Sequence, residues 1–321
     1  MFRTRDAFEK NPKMMREVYC DTLIELALEN DDIIALDSDL VSSSGMKPFF
    51  QRFPDRAFNC GIAEANMIGI SAGLSAMGKI PFAHSFGCFA SRRVCDQIMI
   101  SAAYAQQNVR ILGTDPGVTA AYNGGTHMPF EDMGVLRSIP DITLLEPADN
   151  VILEDLVRQL AVEKGVFYIR MARKNTVSIY KDGSRFNIGR GNLIADGADI
   201  TIFASGIMVH EALKAAETLE EDGISARIVD MFTWKPIDRE LVEECALATG
   251  AFVTAENHNI VGGLGSAIAE AAAQACPVPI EMVGVKDRFG QVGTEDFLRK
   301  EYELTAEEIV AAAKRSIERK G

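Results

Sequence analysis

The chain has 321 residues, 47% hydrophobic and 25% charged, a composition of globular enzymes and a length that suits two domains. A net charge of -13, with no cluster of Lys and Arg, argues against a nucleic-acid or anionic-membrane surface, and no run approaches the ~20 apolar residues of a spanning helix. The opening MFRTRDAFEKNPKMM lacks a signal-peptide core, and the six spread cysteines form no CxxC pair, so reduced thiols and a cytoplasmic protein are expected.

In chain order, short β-branched runs alternate with helical patterns: IIAL at 33–36, a helix over 63–77, IPFA at 80–83, and a helix over 94–105. VRIL at 109–112, ITLL at 142–145, a helix over 151–162 and VFYI at 166–169 follow. Such alternation predicts an α/β fold with a parallel sheet. The polar, glycine-bearing KNTVSIYKDGSRFNIGRGN reads as a linker with a hairpin in it, and places a boundary between residues 1–187 and 188–321. The same alternation then resumes as a second, smaller α/β domain, ending in a helix that starts at Thr305, where Glu308 completes a capping box.

Three clusters carry candidate chemistry. In FNCGIAEANMIGISAGLSAMG, Glu64 opens a helix of small and apolar residues suited to a core or a subunit interface. On these residues alone, Glu64 reads equally as a first-turn carboxylate stabilised by the helix dipole. In AHSFGCFASRRVCDQ, Phe86 and Phe89 share one helical face, a pattern more common in cores than in cofactor platforms. His127 lies in the glycine-rich GTDPGVTAAYNGGTHMPFED after a predicted strand, where parallel sheets place ligands. GGLGSA at 262–267 lacks the spacing of a dinucleotide loop, and no Walker, HExxH or GxSxG motif is present.

Together the motifs resemble the transketolase family. They are DSDL with SSS (37–44), FNCGIAEANMIG, SFGCF followed by DQ, GGTHMPFED, LEPADN (145–150), RMARKN (170–175) and DRFGQVGTEDFL (287–298). The resemblance spans nearly the whole chain and implies a pyrimidine-binding domain over 1–187 followed by a transketolase C-terminal domain over 188–321. It implies thiamine diphosphate as cofactor. Glu64 matches the glutamate that hydrogen-bonds a pyrimidine nitrogen and so favours the tautomer that takes the thiazolium proton. Phe86 and Phe89 match the rings that hold the aminopyrimidine. Asp39 matches an acidic residue near the cofactor and the subunit contact, and Arg92 stands where a third ring, usually Tyr, is found. His127 matches a histidine facing the substrate, while Arg16, Ser43 and Arg173 fall where the family binds a sugar phosphate.

Two positions depart from the family pattern. Asn123 stands where an aspartate usually reads a substrate hydroxyl, and Asp115 stands where a histidine often helps hold phosphate. The expectation is transketolase chemistry on a non-standard sugar. The family's GDG diphosphate motif has no match here, so a separate N-terminal subunit is expected to supply the diphosphate site and the Mg2+ or Ca2+, in a heterotetramer with a homodimer of this chain at its core. A deoxyxylulose phosphate synthase-like enzyme or a 2-oxo acid dehydrogenase β subunit shares the two domains and stays open as an alternative. So does a noncatalytic homologue that kept the fold.

Overall fold

The computed structural model describes residues 1–320. The first sheet begins with β1 (Ile33–Asp37), β2 (Ala57–Asn59), β3 (Ile80–Phe86), β4 (Val109–Thr114), β5 (Ile142–Leu145) and β6 (Val166–Met171). The second contains β7 (Asn192–Ala195), β8 (Ile200–Ala204) and β9 (Ala226–Asp230), then β11 (Phe252–Asn259) and β12 (Ile280–Val285). Between them in sequence, β10 (Thr233–Lys235) returns to the first sheet. The orders are β10-β5-β6-β4-β3-β1-β2 and β12-β11-β8-β9-β7. All neighbours run parallel except β10 against β5 and β7 against β9.

Every residue of β1, β4 and β6 is buried, which is why these strands read as largely apolar runs without alternation, with Arg110 and Arg170 as buried exceptions. The predicted α/β architecture is thus the observed one. Three sequence expectations need correction. The 174–190 segment is no free linker and holds no hairpin of its own. It lies antiparallel to the amino-terminal strip, with bridges at Thr4–Tyr180 and Lys10–Val177 and backbone bonds such as Ser178 N–H to the Glu9 carbonyl, 2.8 Å. Those partners are about 170 residues apart in sequence, beyond the reach of a local turn signal.

Thr305 does stand at the start of the Ala306–Glu318 helix, but its hydroxyl makes no capping bond. The Ala306 N–H donates instead to Glu211 Oε2 at 3.0 Å, so the orphan amide is satisfied from another helix. The helix expected over 94–105 is irregular: after a tight turn at Arg92–Val94 it widens into a π-helical stretch over Ile98–Tyr104.

The two sheets meet on a buried guanidinium. Arg170, at the end of β6, is fully buried and donates through Nε to both oxygens of Asp132 at 3.0 Å and through Nη1 to Glu146. Its Nη2 reaches the Asn257 carbonyl at 2.8 Å and that of Pro129 at 3.2 Å. Ser205 of the second domain donates to the free oxygen of Glu146 at 2.6 Å, and Tyr168 donates to Asp132 at 2.8 Å. Burial alone would pull the Arg170 pKa down, but Asp132 and Glu146 outweigh it, so the charge is secure. Two carboxylates would be stranded without it. Arg170→Met should cost about 3–5 kcal/mol, measured as a lower denaturation midpoint in urea; an unchanged midpoint would show the network to be dispensable.

Candidate functional site

β6, β4, β3 and β1 are neighbours, and the segments leaving their carboxyl ends carry Arg173, Asn123 with His127, Phe86 with Phe89, and Asp39 with Ser43, as expected for an open parallel sheet, while Glu64 follows β2 and Arg16 lies in the first helix. Glu64 is the first residue of the Glu64–Ala76 helix and is 3% exposed. Its partner is Arg93, whose Nη1 donates to Glu64 Oε1 at 2.7 Å. The Arg93 guanidinium carbon also stands 3.8 Å over the centroid of Phe89.

Phe86 closes β3, and Phe89 follows one turn later in the Gly87–Ala90 helix. Their rings lie 6.1 Å apart, and the His127 ring meets both edge-to-face, at 5.8 Å from Phe86 and 5.2 Å from Phe89. The structure therefore joins Glu64, both phenylalanines and His127 into one cluster. His127 is partly exposed, and its Nδ1 shares a 2.9 Å hydrogen bond with the Thr126 hydroxyl. Arg92 turns elsewhere: its guanidinium pairs with Glu131 and donates to the Thr126 carbonyl at 3.3 Å, bracing the loop that carries His127. Of the two adjacent arginines it is Arg93 that covers Phe89.

A second group flanks this cluster. Arg173 stacks over Phe86 at 5.5 Å and brings Nε to 3.1 Å from Asp115 Oδ1, off the N–H axis, so that the contact is a charge pair without a true hydrogen bond. Asn123 reaches the other Asp115 oxygen at 3.4 Å. Arg16 donates to the carbonyl of Ser43 at 3.1 Å, while its own backbone N–H bonds the Arg173 carbonyl at 3.4 Å. Burial pushes the Asp115 carboxyl up to about 6, against the pull of Arg173, Lys174 and Arg16.

Asp39 is exposed and sits apart from the rings, exchanging hydrogen bonds with Asn59 at 3.1 and 3.2 Å. Asn59 in turn accepts the Gly61 N–H at 3.0 Å, so this bracket sets the entry to the Glu64 helix. Backbone strain gathers at this edge. Asp39, Asp115 and Ala121 all have positive φ, a conformation that costs non-glycine residues about 1–3 kcal/mol each.

Sequence reasoning missed four members. Arg93 carried a signal in the RR pair. Asp37, within DSDL, is fully buried and accepts from Ser44 Oγ at 2.8 Å and from the Leu40 N–H, holding the loop that presents Ser43. Burial raises its carboxyl to about 6. His84 is fully buried between the Tyr19 hydroxyl and the Leu36 carbonyl, both at 2.7 Å, and desolvation lowers its pKa to about 4, which keeps it neutral. Tyr19 carried no signal. The GGLGSA motif proves structural: Glu256 accepts the N–H groups of Leu264 and Gly265 at 2.7 and 2.9 Å, and a side chain at Gly263 would come within 1.9 Å of that carboxylate.

The small-residue face of the Glu64–Ala76 helix is bare. Gly69 and Gly73 are exposed, with nothing within 4 Å of where a Cβ would stand, and Met99, Ile100 and Tyr104 are exposed on the adjoining helical stretch. A cleft of about 470 Å³ opens elsewhere, between Lys174 and Arg299, and holds none of the predicted residues.

Comparison with known proteins agrees with this geometry. Residues 11–178 match the transketolase pyrimidine-binding domain and residues 189–309 the transketolase C-terminal domain. A 6-deoxy-6-sulfo-D-fructose transketolase subunit of a Clostridium species is 51% identical over 306 residues, covering 95% of each chain. One of the subunits of an apulose-4-phosphate transketolase from Phocaeicola vulgatus is 36% identical over 299 residues, covering 93% of this chain and 96% of that one. A solved split-gene transketolase, described as an inactive β4 tetramer, superposes with a TM-score of 0.89 at 43% identity, covering 96% of this chain and 99% of that one.

Asp115 yields a test of the charge balance. Its folded pKa of about 6 lies above the ordinary 3.8, so the folded state holds the proton more tightly and loses stability as pH rises between those values. Asp115→Asn should gain stability over wild type from about pH 4 to about 6 and run parallel above, as read from urea midpoints. A constant difference across that range would mean that the carboxyl is not strained.

Proposed function

The chain belongs to the transketolase family, and from that premise we propose that it is the pyrimidine-binding half of a split enzyme acting on a sulfonated ketose. The reaction moves a two-carbon ketol unit from that donor to an aldose. We place the division between the two domains at 187/188, with β10 crossing back over it.

The Asp115–Arg173 pair carries the donor assignment. Arg16 and Arg173 present guanidinium groups for a terminal anion, but Asp115 sets a carboxylate beside them. Like charge disfavours a phosphate dianion more than a sulfonate monoanion. The Clostridium relative, named for 6-deoxy-6-sulfofructose, supports the same class.

The residues fit thiamine diphosphate. A buried carboxylate beside two flat apolar rings suits an aminopyrimidine, which needs stacking area and one group able to share a proton. When bound, the cofactor supplies the nucleophilic carbon that accepts the two-carbon unit. Glu64 holds the proton shared with the pyrimidine nitrogen, Phe86 and Phe89 orient the ring, and the cluster's burial keeps water from that proton. His127, at the open side of the rings, stabilises charge on the substrate oxygen or moves its proton. Asn123, held near Asp115, can donate to a hydroxyl as well as accept.

We assign the diphosphate and its Mg2+ or Ca2+ to a separate N-terminal subunit, because this chain carries no GDG motif. The bare face of Gly69 and Gly73 with Met99, Ile100 and Tyr104 supports a second copy of this chain as the core of a heterotetramer. The reduced thiols favour a cytoplasmic location.

Thiamine diphosphate, magnesium and a panel of 6-deoxy-6-sulfofructose, fructose 6-phosphate, xylulose 5-phosphate and pyruvate test this reading, with the chain alone and with its partner subunit. Turnover should appear only in the mixture and be best with the sulfonate. Efficient use of xylulose 5-phosphate with ribose 5-phosphate would sink the donor assignment, and pyruvate turnover would sink the reaction. In the same assay Glu64→Ala should lose about 10²–10⁴ of kcat. Asp115→Asn should raise kcat/KM for fructose 6-phosphate relative to the sulfonate by about tenfold, a difference of ~1.4 kcal/mol; an unmoved ratio would clear Asp115 of donor choice.

A further inference from the structure

Arg93 touches two of the three groups assigned above to the aminopyrimidine. Its Nη1 takes one oxygen of Glu64 at 2.7 Å, and the same flat guanidinium lies 3.8 Å over Phe89. A planar cation stacked on an aromatic face and hydrogen-bonded to a carboxylate has the shape and the bonding of an aminopyrimidine held by the same pair.

The two partners differ in freedom. The Glu64 side chain is 3% exposed and fixed at a helix start, whereas the Arg93 side chain is 43% exposed and has no other acidic partner among the described residues. Arg93 can therefore swing into water while Glu64 stays in place, at the cost of the ion pair, the cation–π contact and a buried carboxylate that then needs the incoming ring as its partner. Its backbone lies in the tight Arg92–Val94 turn, anchored by the buried Val94, so the movement is confined to the side chain.

We propose that Arg93 is a built-in competitor for the cofactor, occupying Glu64 and the face of Phe89 until the aminopyrimidine displaces it. The apparent affinity for thiamine diphosphate is then the intrinsic affinity reduced by the fraction of chains in which Arg93 has swung away. Arg93 also shields a buried carboxylate that would otherwise stand unpaired. This inference rests on the assignment of Glu64 and Phe89 to the aminopyrimidine.

Calorimetric titration of magnesium and thiamine diphosphate into the complex of this chain with its diphosphate-binding subunit tests it. Arg93→Met should lower Kd about tenfold, equivalent to ~1.4 kcal/mol, and Arg93→Lys, which keeps the charge but loses the plane, should fall between. Phe86→Ala serves as the independent control, since the cation over Phe86 is Arg173 and not Arg93, and it should weaken binding. If Phe86→Ala weakens binding while Arg93→Met binds as wild type or more weakly, Arg93 is a support for Glu64 and the competitor is overturned. If Phe86→Ala leaves Kd unchanged, or the wild-type complex does not bind, the cofactor assignment fails and takes this inference with it.

Discussion

At the junction of the two sheets one guanidinium is shared between two carboxylates and two carbonyls with no water-exposed surface of its own, and much of the site hangs from that arrangement. A buried charge is tolerated only where its partners are complete, so Arg170 dictates where Asp132, Glu146 and the end of β11 must lie. Asn257, whose carbonyl binds Arg170, uses its side chain to hold the Pro116 carbonyl and the Val118 N–H at 2.9 and 3.0 Å. That is the root of the loop bearing Asn123 and His127. Gly290 then packs against Gly125 so closely that a Cβ there would stand 2.2 Å from its carbonyl oxygen. The second domain therefore holds the loop bearing His127 by direct contact, and among the described residues it supplies no group to the ring cluster.

The alternation of apolar runs and helical patterns made the α/β architecture legible, because strands buried on both faces cannot hide their composition. Glu64, Phe86, Phe89 and His127 were legible through their motifs, and the fold brings them together. What stayed hidden were pairings between distant residues. Nothing near Thr305 announces that Glu211 caps its helix, and nothing near residue 178 announces its partner at residue 9. Two of the motifs that carry the family resemblance also carry architecture. In LEPADN, Asp149 caps one helix through Val151 and Ile152 and holds the backbone N–H groups of Ile179 and Tyr180 with its other oxygen. The last residue of GGTHMPFED is the Asp132 that pairs with Arg170.

Charge is distributed unevenly around the site. The ring cluster holds one buried carboxylate with one half-exposed cation, a pair whose opening leaves Glu64 in need of another donor. The flanking group holds three cations around one buried carboxyl, tied by the Arg16 guanidinium donating to the Ser43 carbonyl and the Arg16 backbone N–H donating to the Arg173 carbonyl. Strained φ values at Asp39, Asp115 and Ala121 lie on loops leaving the sheet and not within it, so the rigid strands bear the cost of presenting these side chains.

The return of β10 to the first sheet has a further meaning for the molecule's history of assembly. Thr233–Lys235 pairs with β5, which without it would be an open strand of buried apolar residues. A polypeptide ending at residue 187 would present that edge to any neighbour and would associate through it. The later half of the chain thus closes the edge of the earlier one, and the last strand of the first sheet can be in place only after translation has passed residue 235.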